Sequence, residues 1–215
     1  MDGDGIGAKR FADEASGGCS HRKFSEEFET KLSELNPIHD GIKKEVREQL
    51  EKGEFKCNEE VDLEVDLGGS KLRGSADIVC REPVESTKEP KEPVELIIEV
   101  KSSQIGMGRI ADIYQALVYG YIWEKRYGKR PQIMLVYSRE PKTTSETTMD
   151  TKTKVNIGSR MVELPNKYVY IKLNINLDVE DIAKELGKYG YVLSRDCEHC
   201  VNEDCPLNKA RPTRQ

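Results

Sequence analysis

Two acids and a lysine carry the strongest chemical signal in this sequence. The stretch 94–101, VELIIEVK, reads as a strand, and side chains along a strand alternate between its faces. Leu96, Ile98 and Val100 therefore share one face, while Glu99 and Lys101 share the other. The stretch 71–80, KLRGSADIVC, reads as a second strand with Asp77 near its end. Carboxylates and an ammonium at the ends of apolar strands are costly unless a metal, a substrate or each other satisfies them. Cleaving a phosphodiester requires an activated water and neutralised phosphate charge, both of which Mg²⁺ or Mn²⁺ held by carboxylates supplies. Asp77 and Glu99 are the candidate ligands, with the carbonyl of Val100 a third. Lys101 would orient the attacking water, help to deprotonate it and offset phosphate charge. By itself the D…E-x-K pattern also fits a solvated ion pair.

The elements that must position these groups are legible in order. Residues 1–18 are rich in Gly, Asp and Ala and read as a mobile tail, with at most a short helical turn around 10–15. A helix follows with Phe24, Phe28, Leu32 and Leu35 on one stripe. Asn36 and Pro37 suit a helix start, and Gly53 closes that second helix. Its inward stripe is His39, Ile42, Val46 and Leu50. Val61, Leu63, Val65 and Leu67 alternate as a strand, and Gly68-Gly69 is a hairpin turn into the Asp77 strand. The prolines and charges of 81–93 make a loop before the central strand.

Further along, 110–127 is the best helix, with Ile110, Tyr114, Leu117, Val118 and Tyr121 on one face and Gln115 beside Tyr119 one turn on. A short strand at 131–137 returns to the sheet, and 138–160 reads as a flexible loop or an extended hairpin. A strand at 168–175 and a helix at 178–189 precede the terminal cysteines. The order of elements gives an α/β protein.

The series Gly74-Ser75-Ala76-Asp77, Glu99-Val100-Lys101 and Gln115-Ala116-Leu117-Val118-Tyr119 resembles the GxxD, ExK and QxxxY motifs of RecB-like PD-(D/E)xK nucleases. The resemblance implies a restriction-endonuclease-like mixed central sheet flanked by helices. It makes Asp77, Glu99, Lys101, Gln115 and Tyr119 the catalytic set, and it adds His39 to the metal ligands Asp77, Glu99 and Val100. A histidine in the first turn of a helix also has its cationic form disfavoured by the helix dipole, which leaves a neutral ring able to bind metal.

Cys197, Cys200 and Cys205 form C-x2-C-x4-C-P, a soft-ligand set for zinc or an iron–sulfur cluster. Cys19 is the fourth ligand to expect, with Cys57 or Cys80 as replacements. One cysteine ahead of the nuclease core and three behind it resembles the CRISPR-associated RecB-like exonuclease family (Cas-four). That resemblance implies a 4Fe–4S cluster joining 19–36 to 190–210 within one domain, 19–215. It also implies action on single-stranded DNA ends with 5′→3′ polarity, alongside CRISPR integration proteins.

Bulk properties limit the alternatives. The chain has 215 residues and a net charge of −5, so nucleic acid would be met by a local groove and bound cations, not a broad basic field. Arg22, Lys23, Arg109, Lys125, Arg126, Lys129 and Arg130 are candidate DNA contacts. Tyr119, Tyr121 and Trp123 are candidate stacking partners. No apolar run reaches membrane-span length and no signal-peptide core begins the sequence, so a cytoplasmic protein with free or metal-bound thiols is expected. Two other classes compete with an exonuclease: a non-catalytic nuclease-fold module that binds DNA or a partner, and a zinc-stabilised endonuclease or resolvase.

Overall fold

The computed structural model describes residues 6–16, 19, 23, 25–34, 36–67, 70–82, 94–102, 110–138, 152–186 and 201–205. In chain order the elements are β1 (Ile6–Gly7), α1 (Ala8–Ala15), α2 (Glu26–Ser33), α3 (Asn36–Lys52), β2 (Lys56–Leu67), β3 (Ser70–Arg81), β4 (Glu95–Lys101), α4 (Ile110–Tyr127), β5 (Gln132–Ser138), β6 (Lys152–Ile157), β7 (Arg160–Pro165), β8 (Tyr168–Leu173) and α5 (Val179–Leu186). The mixed α/β architecture read from the sequence is therefore present. No helix among the described residues is long and apolar enough to cross a membrane.

One six-stranded mixed sheet organises the molecule, ordered β1-β3-β4-β5-β8 with β2 on the other edge of β3. β4 and β5 run parallel, from Leu96 opposite Gln132 to Lys101 opposite Tyr137. The return from one to the other is made by α4, since parallel neighbours need a crossover. β3 and β4 are antiparallel, but their ladder covers only Ile78–Arg81 against Glu95–Ile98. Beyond Ile98 the two strands part, and Asp77 and Glu99 stand on either side of that fork.

The long β2–β3 hairpin changes sides at the same level. Cys57, Ile78 and Cys80 pack with α3 residues Ile42, Val46 and Leu50 on one face of the sheet. Val61, Leu63, Val65, Leu67, Leu72 and Ala76 instead pack with α1 and α4 on the other face. The register is constant along the hairpin, but its ladder is interrupted between Glu59–Ile78 and Val61–Ala76, at the Glu60/Asp77 level. Glu60 has φ +50°, a left-handed backbone rare for a residue with a side chain. That local turn lets one hairpin serve two cores.

Three expectations change, and one open alternative is decided. Instead of a mobile tail, residues 6–15 form β1, paired in parallel with β3 at Leu72 and Arg73, and α1. Ala8, Phe11 and Ala12 of that helix are buried, a stripe at 3–4-residue spacing too short to stand out among polar neighbours. Leu117 and Val118 of the expected α4 stripe are buried, but so are Ala111, Gln115, Ala116, Tyr119, Gly120, Ile122 and Trp123, whereas Ile110 is largely exposed. Of the two readings of 138–160, the described part favours the extended hairpin: β6 and β7 pair from Lys152–Pro165 to Ile157–Arg160. Cys57 and Cys80, read as free thiols or spare metal ligands, are directly opposite in the β2–β3 register and joined as a disulfide. Neither is therefore available as a ligand.

Candidate active site

Four elements bring the expected residues to the fork. β3 supplies Asp77, β4 supplies Glu99, Val100 and Lys101, α4 supplies Gln115 and Tyr119, and α3 supplies His39. Because β4 no longer pairs with β3 here, the Val100 N–H is free to donate to Asp77 Oδ2, at 2.7 Å. His39 Nε2 lies 3.2 Å from the Val100 carbonyl and 3.3 Å from Asp77 Oδ2. Facing two acceptors, that nitrogen carries a proton in this arrangement.

On the other side, Lys101 Nζ donates to Glu99 Oε1 at 2.6 Å and to Gln115 Oε1 at 2.9 Å. With its oxygen committed to the ammonium, the Gln115 amide turns its NH₂ to Tyr119 Oη, at 2.8 Å. The i, i+4 spacing of Gln115 and Tyr119 on one helix face makes this relay geometrically natural. Asp112 Oδ1 stands 3.8 Å from Lys101 and accepts from Tyr137 Oη through its other oxygen, at 3.0 Å. Sequence reading missed Asp112; its position three residues before Gln115 on the same helix face was the available signal.

Charge and burial set the electrostatics. Glu99 is 3% exposed, and burial pushes its carboxyl up to about 7 against the pull of Lys101. In the ionised form its Oε2 has no hydrogen-bond partner, because the nearby Asp77 carboxylate is another acceptor. Burial would also raise Asp77, but hydrogen bonds from His39 and the Val100 N–H outweigh it and hold the carboxyl below its ordinary range. Hydrogen bonding to Asp77 raises His39 above the ordinary histidine value, despite partial burial. The direction is opposite to the one expected from the helix dipole, because a carboxylate at contact distance is a stronger field than the end of a helix. Burial disfavours the Lys101 cation, yet Glu99 and Asp112 more than restore it. Lys101 is thus an ammonium here, suited to orienting water and offsetting phosphate charge.

The donor set fits a hard divalent cation: one imidazole nitrogen, two carboxylates and a carbonyl. The orphaned Glu99 oxygen fits it too, since a buried acceptor without a partner is otherwise a net cost. Among the described residues, no three His, Cys, Asp or Glu side chains stand as a ready-made metal group. In this arrangement His39 lies against Asp77, and Glu99 turns one oxygen to Lys101.

The cysteine region is described in part. Cys19 and Cys205 are buried and free of disulfides; Cys197 and Cys200 lie outside the described residues. The segment at Lys23 meets 201–204, since the Val201 N–H donates to the Lys23 carbonyl at 2.8 Å and Lys23 Nζ lies 3.8 Å from Asp204.

The candidate nucleic-acid contacts fare unevenly. Trp123 is buried with its indole N–H donating to Glu95, and Tyr119 is buried at the fork, so neither presents a face for stacking. Lys125 pairs with Glu180 at 2.8 Å, and Arg130 donates to the Ile175 carbonyl at 2.7 Å and to Asn176. Arg22 and Arg109 lie outside the described residues.

No protein-family model and no curated protein matches the chain. Among solved structures, one titled "Crystal structure of SSO0001" is similar at 16% identity with a TM-score of 0.50, over 96% of this chain and 88% of that one. At that identity the likeness is one of fold.

Proposed function

We propose that this chain is a metal-dependent DNA exonuclease acting on single-stranded ends with 5′→3′ polarity, as in the processing of prespacers for CRISPR integration. The observation that supports this reading most is the unbroken contact chain from His39 through Asp77 and the Val100 backbone, beside Glu99, Lys101, Gln115 and Tyr119. Residues drawn from an 80-position span of sequence, His39 to Tyr119, converge on a buried, under-satisfied carboxylate, an arrangement characteristic of functional sites.

A divalent cation bound there supplies charge neutralisation and a water nucleophile at neutral pH. His39, Asp77, Glu99 and the Val100 carbonyl are the groups that would hold it. Lys101, clamped by Gln115, presents an N–H to the attacking water and a positive charge to the phosphate. Tyr119 fixes the Gln115 amide, and so acts through it. Cys19, Cys197, Cys200 and Cys205 would ligate an iron–sulfur cluster, 4Fe–4S, whose role is to bind the C-terminal tail to the segment before α2. The meeting of Lys23 with 201–204 supports that placement.

The test is digestion of end-labelled single strands with Mn²⁺. The parent is expected to shorten them, and Asp77→Ala, Glu99→Ala and Lys101→Ala are each expected to lose at least a hundredfold in rate, the loss typical of removing one charge-stabilising group. Three variants that digest as fast as the parent would exclude this site. Binding of labelled DNA without cleavage by the parent would favour the non-catalytic module instead.

A further inference from the structure

Lys43 sits one turn beyond His39 on the same face of α3, and its side chain is only 8% exposed. Its ammonium pairs with Glu60 of β2 and lies 3.4 Å from Asp40. Its partner Glu60 stands at the Asp77 level of the β2–β3 hairpin, so Lys43 lies beside the fork on the β2 side. The two carboxylates that hold it are far looser than it is: their side chains are 55% and 68% exposed. The left-handed backbone of Glu60, at the level of Asp77, is the break in the ladder that lies beside Lys43. Such strain is concentrated where a fold needs a side chain in one direction.

The exposed carboxylates gain little by staying, because water solvates them almost as well as the pairing does. Glu60 and Asp40 can therefore leave at small cost, whereas a buried ammonium cannot go without a counter-charge. A phosphate oxygen replaces them charge for charge.

We propose that Lys43 is the phosphate-binding residue for the strand entering the candidate active site, with Glu60 and Asp40 as its resting counter-ions. The proposal deepens the nuclease reading and rests on it. No bond is made or broken at Lys43; it receives a phosphodiester of the bound strand by exchange of ionic partners. In a chain with net charge −5, one poised cation beside the acids also gives the anionic strand a defined point of entry.

The experiment is fluorescence anisotropy of a short fluorescein-labelled oligodeoxythymidylate, with Ca²⁺ replacing Mn²⁺ to prevent cleavage, over a range of salt. Lys43→Met is expected to weaken binding about tenfold and to reduce the slope of log K against log salt by about 0.7, the loss of one phosphate contact on a single strand. Mn²⁺ binding to the same variant, followed by electron paramagnetic resonance, should not weaken. Lys43→Arg should keep the slope, and Glu60→Gln should tighten binding by freeing the ammonium. If Lys43→Met binds as the parent does with an unchanged slope, Lys43 is merely a structural ion pair and the nuclease reading survives. If the parent itself binds no oligonucleotide, both readings fall. Should Lys43→Met not fold, the Glu60→Gln result decides: unchanged or weaker binding overturns the proposal.

Discussion

Glu99 is where burial and chemistry oppose each other most. Its carboxyl is raised from an ordinary value of 4.5 to about 7 in the fold. A raised acid favours the protonated folded state, so its contribution to stability is present below about pH 4.5 and is lost as pH climbs through 7. Binding a cation reverses the preference, because only the carboxylate can serve as ligand. Mn²⁺ affinity is therefore expected to increase as pH rises from 6 to 8, with net proton release below the upper end. Isothermal titration in buffers of different ionisation enthalpy measures both, and a pH-independent affinity with no proton release would remove Glu99 from the ligand set. Asp77 behaves oppositely, already held as a carboxylate by His39 and the Val100 N–H. Asp77, Glu99, Lys101, Gln115 and Tyr119 were legible as a set through the motif resemblance, while strand and helix periods alone paired only Glu99 with Lys101 and Gln115 with Tyr119. Lys43, Glu60 and Asp112 were not, because in a chain that is 34% charged a Lys or Glu reads as ordinary solvated surface.

The elements explain a motif glycine in packing terms. A Cβ on Gly74 would lie 2.7 Å from the Tyr119 ring and 2.9 Å from the Ala8 side chain. The first residue of the GxxD series is thus the floor on which the last residue of QxxxY and the start of α1 both rest. Gly74→Ala is expected to cost about 1–3 kcal/mol through overpacking. Thermal melting should register this as a fall of several degrees, with nuclease rate falling as Tyr119 is displaced from Gln115; an unaltered melt and rate would refute the contact. The hairpin arithmetic was also in the sequence. A two-residue turn at 68–69 pairs residues whose numbers sum to 137, which places Cys57 opposite Cys80 and Glu60 opposite Asp77. Extended without a bulge to its full length, that register contained the disulfide. What it did not contain was the exchange of faces at Glu60, since a steady period of two forbids it. The helix α1 escaped for another reason: eight residues with three small or apolar contacts become stable only by packing, here against α4 and β3.

At the scale of the whole molecule, the sheet is a scaffold beside which two segments far apart in sequence meet. The segment at Lys23 touches that at Val201 and Asp204, with buried Cys19 and Cys205 nearby in sequence. If a sulfur-ligated cluster joins them, anaerobically purified protein is expected to be brown, with iron near four equivalents per chain for a 4Fe–4S centre. Cys205→Ser should lower that iron and the melting temperature together. Colourless protein carrying stoichiometric zinc would replace the cluster with a zinc site, and metal-free protein would remove both. The Cys57–Cys80 bond is a separate fastening, on the face of the sheet beneath α3. Cysteine spacing alone does not set Cys57 and Cys80 apart from the other thiols; the hairpin register does.

The parting of β3 from β4 has one more result. Val100 joins this site entirely through its peptide groups, its amide held by Asp77 and its oxygen facing His39, while the isopropyl group is sunk in the core. Side-chain scanning would report it as mere filling, and Val100→Ile would change neither polar group. The contribution would surface only on chemical editing of the main chain itself, where an ester in place of the 99–100 linkage deletes the donor to Asp77 and leaves every side chain as it was.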